Sequence, residues 1–149
     1  MRKKMLDWML LLFVVPLLLL NMTLKSAGSQ PAFKASLLTQ AKAAVKSVSA
    51  ADVKAAIDKN EKAIFLDVRT PEEYESGHLP GAINISNQIL KSKISAVIPD
   101  KNTKIYVYCQ EISRSPLATK TLNDLAYKNA VLMDAKLEDW IKAGYPMER

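Results

Sequence analysis

Three short apolar runs constrain this chain most: Ala63-Ile64-Phe65-Leu66, Ile105-Tyr106-Val107-Tyr108 and Val131-Leu132-Met133. Each is too short for a helix, and each is followed within a few residues by a segment of helical spacing or helix-start chemistry. Runs that are apolar at every position, rather than alternating, are the mark of strands covered on both faces. Strand and helix in alternation then predict an α/β fold, a parallel sheet with helices on both sides.

The punctuation between the runs is legible. Ser49-x-x-Asp52 resembles a capping box and opens a helix to about Ile57. Thr70-Pro71-Glu72-Glu73 has a capping threonine, a proline suited to N1 and two carboxylates suited to the positive end of the dipole. Gly77-His78-Leu79-Pro80-Gly81 breaks that helix, and Ala82 to Ile85 reads as a further strand. Residues 87–97 place Ile89, Leu90, Ile94 and Val97 on one helical face, and Leu117, Ala118, Leu122, Leu125 and Ala126 do the same further on. Residues 45–48 read as a short strand, and Leu137 to Lys142 as a last helix ending near Gly144. Residues 25–34 read as a linker, and 35–46 as a short Ala-rich helix or a tether.

The first 29 residues read differently. Between Met5 and Leu24, 16 of 20 residues are apolar, behind the basic Arg2-Lys3-Lys4 and ahead of the small Ser26-Ala27-Gly28-Ser29. This is the layout of a secretory signal peptide. An uncleaved membrane anchor over residues 8–24 is the competing reading, weakened by Pro16 and Asn21, and a buried helix is a third. The first two place the remaining domain outside the cytoplasm, periplasmic or secreted, because the basic end stays inside. The leader also carries half of the net charge of +6, and no later stretch concentrates lysine and arginine with aromatics, so nucleic acid is not an expected partner.

Cys109 is the single cysteine, which excludes an intrachain disulfide and a cysteine-based metal cage. It follows a strand and precedes a helix start in Cys109-Gln110-Glu111-Ile112-Ser113-Arg114-Ser115-Pro116. Pro116 suits N1, with Ser115 or Ser113 as the cap. Backbone N–H groups and the dipole at such a start favour an anion, the form a nucleophilic sulfur needs. Arg114 adds a permanent charge and a two-pronged fork for an oxyanion. The alternatives are a buried structural cysteine and an arginine that is solvated or ion-paired. In open parallel sheets, sites form beyond the strand C-termini, where Cys109 and Asp67-Val68-Arg69 fall.

These segments together resemble the rhodanese family over residues 45–149. Ile64 to Arg69 followed by Glu73-Tyr74-x-x-Gly77-His78-Leu79-Pro80-Gly81-Ala82 is similar to its Asp-Val-Arg … Glu-Tyr-x-x-Gly-His-Ile-Pro-Gly-Ala pattern. Ile105 to Ser115 is similar to its active-site loop, and Trp140 with Ala143-Gly144-Tyr145-Pro146 to its closing segment. The resemblance implies a three-layer sandwich on a five-stranded parallel sheet, with residues 30–44 as linker or short helix ahead of it. It implies sulfur transfer without metal or cofactor: Cys109 takes sulfur from a thiosulfate-like or persulfide donor and passes it to cyanide or a thiol, small molecule or protein. Arg114 and the loop residues Gln110, Glu111, Ile112, Ser113 and Ser115 would bind the substrate. Asp67, Arg69 and His78 would have structural roles.

Three departures from the family pattern bear on activity. Ile112 stands where the family has a glycine, and a β-branched residue is strained at positive φ. Glu111, pointing inward, would oppose an anionic donor. Ala135-Lys136 replaces a Gly-Gly pair, so Lys136 is a candidate source of positive charge. A non-catalytic rhodanese-like binding or sensing module is therefore the alternative function. A phosphatase or arsenate reductase of related fold is disfavoured, because the loop is Cys-x4-Arg rather than the longer Cys-x5-Arg.

Overall fold

A computed structural model describes residues 30–149, so the expected leader lies outside the described residues. The chain divides into two units, Met1–Leu37 and Leu38–Arg149. Helix α1 (Gln30–Ala43) begins in the first, where Phe33 and Leu37 are exposed. Pro31 sits in its first turn, as a helix start tolerates. The linker reading is thereby corrected over residues 30–34, which are helical.

In the second unit the order is β1 (Ser47–Val48), α2 (Ala50–Asp58), β2 (Ala63–Asp67), α3 (Pro71–Glu75), β3 (Ile83–Asn84), α4 (Leu90–Val97), β4 (Lys104–Tyr108), α5 (Ser115–Asp124), β5 (Ala130–Met133) and α6 (Leu137–Lys142). The five strands form one sheet, ordered β1-β5-β4-β2-β3, with every pairing parallel. Val107 of the central β4 lies opposite Leu66 of β2 and Leu132 of β5. The sandwich expected from the sequence is therefore present.

Strand alternation sorts the core into two layers. Ile105, Val107 and Cys109 join Leu66, Val68, Leu90, Ile94, Ala118 and Leu122, on the side of α4 and α5. Tyr106 and Tyr108 join Phe65, Val53, Ala56, Val131, Leu137 and Trp140, on the side of α2 and α6. Trp140 is fully buried and its indole N–H donates to the Pro146 carbonyl at 2.9 Å.

The caps form as expected. Ser49 Oγ accepts from the Asp52 N–H, and Thr70 Oγ1 from the Glu73 N–H, each returned by the carboxylate. Two apolar faces differ. In α4, Leu90 and Ile94 are buried, but Ile89 is 48% and Val97 51% exposed. The helix starts at Leu90 rather than 87, which leaves Ile89 outside its first turn. Ala126 is exposed at φ 73, past the end of α5, where it turns the chain toward β5. Among the described residues no helix is long and apolar enough to cross a membrane.

Candidate functional site

The connections from β4 and β2 leave the centre of the sheet in opposite directions, toward β5 and β3. Such a switch point opens a crevice at the strand C-termini. Asp67 ends β2 there, and Cys109 follows the last residue of β4.

Alternation along β4 puts the Cys109 side chain on the face where α5 packs. Its Sγ lies 3.1 Å from Ser115 Oγ and receives the Ser115 N–H at 3.3 Å. Ser115 is thus the first residue of α5, with Arg114 at the N-cap position and Pro116 second, one place on from the expected arrangement. Neither Ser113 nor Ser115 caps the helix by its side chain. The Ser115 hydroxyl is buried and turned to the sulfur instead. Thr119 Oγ1 donates to the Ser115 carbonyl at 2.8 Å and steadies that turn. Cys109 itself is only 1% exposed and belongs to the core layer on the side of α4 and α5.

Ile112 has φ 56, the left-handed region its position in the loop pattern foretold. A β-branched residue held there costs about 1–3 kcal/mol and persists only where its surroundings fix it. Three contacts fix this loop. The Gln110 carbonyl accepts the Leu137 N–H at 3.1 Å. Gln110 Oε1 accepts from Arg69 at 3.2 Å. Glu111 pairs with Lys136 at 3.1 Å. Glu111 therefore turns out to the rim, where Lys136 offsets its charge and where the pair holds the Lys136 ammonium protonated above its usual range.

Arg114 is engaged by the chain itself. Its two terminal nitrogens donate to the two Glu73 oxygens at 2.6 and 2.7 Å. The Arg114 fork, more than any other contact, holds the Glu73 carboxyl well below its usual range, at about 2. The sequence reading placed Glu73 at the positive end of a helix dipole and in the family pattern. Its second role was not visible, because 41 residues separate the partners.

Asp67 and Arg69 form the buried pair expected to be structural. The Arg69 guanidinium donates to Asp67 through Nε and Nη2, at 2.7 to 3.0 Å, and to the Gly77 carbonyl at 2.7 Å. Gly77 has φ 146, which glycine supplies at little cost. Beside the pair, burial and the Asp67 charge push the Tyr108 hydroxyl far up, so it stays protonated. His78 stacks on Tyr74 at 3.8 Å with Nδ1 3.0 Å from the Tyr74 carbonyl, and it takes no part in the loop contacts described above. Between the β2–α3 and β3–α4 connections and Arg114 lies a cleft of about 140 Å³, lined by Arg69, Thr70, Ser86, Asn87, Gln88 and Arg114. Sequence reasoning missed this cleft, since it read residues 87 and 88 as the start of a helix that begins only at Leu90. Among the described residues no group of three or more His, Cys, Asp or Glu side chains is placed to hold a metal ion.

A parallel sheet that presents a thiol at the head of a helix, beneath a Cys-x4-Arg loop, defines the class. Residues 49–143 match the rhodanese-like domain family. The chain belongs to that family. Thiosulfate sulfurtransferase PspE of Escherichia coli is 40% identical over 63 residues, which cover 42% of this chain and 61% of that protein. A thiosulfate sulfurtransferase of Pseudomonas aeruginosa superposes with a TM-score of 0.64 at 28% identity, over 70% of this chain and 20% of that one. A protein of unknown function from Rhodopseudomonas palustris, described as a possible tyrosine phosphatase, superposes with a TM-score of 0.72 at 25% identity, over 77% of this chain and 93% of its own. The relatives include sulfurtransferases, and this chain spans about three fifths of the length of the first.

Proposed function

We propose that this chain is a sulfurtransferase that carries sulfur as a persulfide on Cys109. The observation that carries the reading is the sulfur's placement: Sγ at the head of α5, facing the Ser115 N–H and hydroxyl at 3.3 and 3.1 Å. Those donors and the helix dipole stabilise negative charge on the thiolate and, after transfer, on the persulfide. In the first step the Cys109 thiolate attacks the outer sulfur of a donor. A new S–S bond forms, the donor's own bond to that sulfur breaks, and the leaving group departs with the electron pair. In the second step a thiol or cyanide acceptor attacks the terminal sulfur and the Cys109 thiolate is restored. The fold, the family and its sulfurtransferase relatives support this.

The site must open for a donor to reach the sulfur of Cys109, a residue that is 1% exposed. That burial, with the Arg114 fork filled by Glu73, favours a second reading: a rhodanese-like binding or sensing module without turnover. One experiment separates the two. The protein and a Cys109→Ala variant are treated with sulfane-sulfur donors, and intact mass and cyanide-dependent thiocyanate release are measured. The transferase gains one sulfur atom per chain, which the variant does not. No gain with any donor leaves the binding module.

The reading extends to location. Residues 1–29 direct the domain out of the cytoplasm, as a cleaved signal or as an anchor over residues 8–24. A lone thiol, with no second cysteine to pair with, suits such a compartment. N-terminal sequencing of the protein recovered from the cell envelope tests this: a start near residue 30 supports cleavage, an intact Met1 supports the anchor, and recovery from the cytosol alone refutes both.

A further inference from the structure

The charged side chains of the Cys109 loop, those bonded to it and the partner of Arg69 are Glu111, Arg114, Glu73, Lys136, Arg69 and Asp67. All six are paired within the chain. Asp67 holds Arg69 at 2.7 Å, Glu73 holds Arg114 at 2.6 Å, and Glu111 meets Lys136 at 3.1 Å. Three carboxylates balance three cations, so this frame presents no net charge to an incoming donor.

Arg114 is the decisive member. Each of its terminal nitrogens donates to Glu73, so the fork that sequence reading offered to an oxyanion already holds a carboxylate. A dianion entering this site gives up its hydration and meets no uncompensated cation in return. It also meets the Glu73 carboxylate beside Arg114, and it passes Glu111 at the rim on the way in. A donor with at most one negative charge loses far less. Resting on the sulfurtransferase reading, we infer that the sulfur donor is a persulfide borne on a thiol, of low charge, in preference to dianionic thiosulfate.

The step balances without a further reactant. The Cys109 thiolate attacks the terminal sulfur of R–S–SH, a new S–S bond forms between Cys109 Sγ and that sulfur, and the donor's own S–S bond breaks. RS⁻ leaves with the electron pair, and one S–S bond replaces another with no net oxidation.

Glu73→Gln and Glu111→Gln test the charge argument from two sides. Glutamine at 73 keeps the capping box with Thr70, and Glu111 is half exposed, so both variants are expected to fold. Wild type and variants are loaded from thiosulfate or from the persulfide of N-acetylcysteamine, and the second-order rate of sulfur addition to Cys109 is read by quenched intact mass. Wild type should load at least about tenfold faster from the persulfide, a difference of about 1.4 kcal/mol. Freeing Arg114 or Lys136 should raise the thiosulfate rate, relative to the persulfide rate, by roughly three- to tenfold at low salt, and the gain should shrink as salt screens it. Thiosulfate loading wild type as fast as the persulfide, or a ratio unmoved in both variants, overturns the donor assignment alone. No sulfur added from either donor overturns the transferase reading, and this inference with it.

Discussion

Glu73 accepts both terminal nitrogens of Arg114, at 2.6 and 2.7 Å, and thereby ties the first turn after β2 to the start of α5. A bidentate pair of this geometry is the strong form of the interaction. It depends on an ionised Glu73, whose carboxyl is held at about 2 against an ordinary 4.5. A carboxyl depressed by folding adds stability above the unfolded value and loses it as pH falls through the folded one. The stability difference between wild type and Glu73→Gln should therefore be full above about pH 4.5 and close by about pH 2. Urea midpoints across that window measure it, and parallel curves for the two proteins would show that the pair adds nothing.

The buried Asp67–Arg69 pair should behave differently, because its partners cannot turn to water. Asp67 is fully buried and Arg69 is 2% exposed. Asp67→Ala leaves the Arg69 guanidinium buried without its counter-charge, at a cost of about 3–5 kcal/mol. It also frees the arm that reaches the Gly77 carbonyl and Gln110. Chemical denaturation should show a loss of that order. A loss below about 1 kcal/mol would mean the pair merely offsets its own desolvation and that its removal is relieved by water.

What could be read from the sequence was local. Ser49 with Asp52 and Thr70 with Glu73 announce their helix starts, because a cap is made by residues three apart. The three inner strands announce themselves because burial on both faces leaves them with apolar runs. Cys109 was found the same way, by its place between strand and helix start, and the left-handed Ile112 by the glycine that the family pattern has at its position. The pairings that set the site's charge join distant segments: Glu73 with Arg114, Glu111 with Lys136, Arg69 with Gln110. Spacing along the chain carries no signal for such partners. Helical periodicity alone likewise could not say that Ile89 and Val97 stay exposed while Leu90 and Ile94 are covered, since that depends on where α4 begins.

The strain at Ile112 is testable on its own. Glycine at this position removes the clash that a β-branched residue suffers at φ 56. Against that stand the extra freedom of glycine in the unfolded chain and the loss of a half-buried side chain. The strain, of about 1–3 kcal/mol, is the larger, so Ile112→Gly should gain about 0.5–1 kcal/mol by denaturation. A clear loss of stability would mean that the Ile112 side chain packs more firmly than its exposure indicates.

Ser115 is where chemistry and fold meet, since its hydroxyl and N–H both face the Cys109 sulfur and its carbonyl anchors Thr119. Alanine at 115 keeps the N–H and the carbonyl but removes the hydroxyl. A hydrogen bond to a charged group contributes about 1.5–3 kcal/mol, so sulfur loading on Cys109 should slow by roughly 10- to 100-fold. The hydroxyl is buried beside the sulfur rather than out in the cleft. The slowing should therefore appear with every donor alike, since it reflects the thiolate itself and not donor binding. Loading rates from two donors of different charge, measured beside the unfolding midpoint, separate the cases. A Ser115→Ala protein that loads at the wild-type rate removes the hydroxyl from the chemistry, and one that slows for a single donor makes it a binding contact instead.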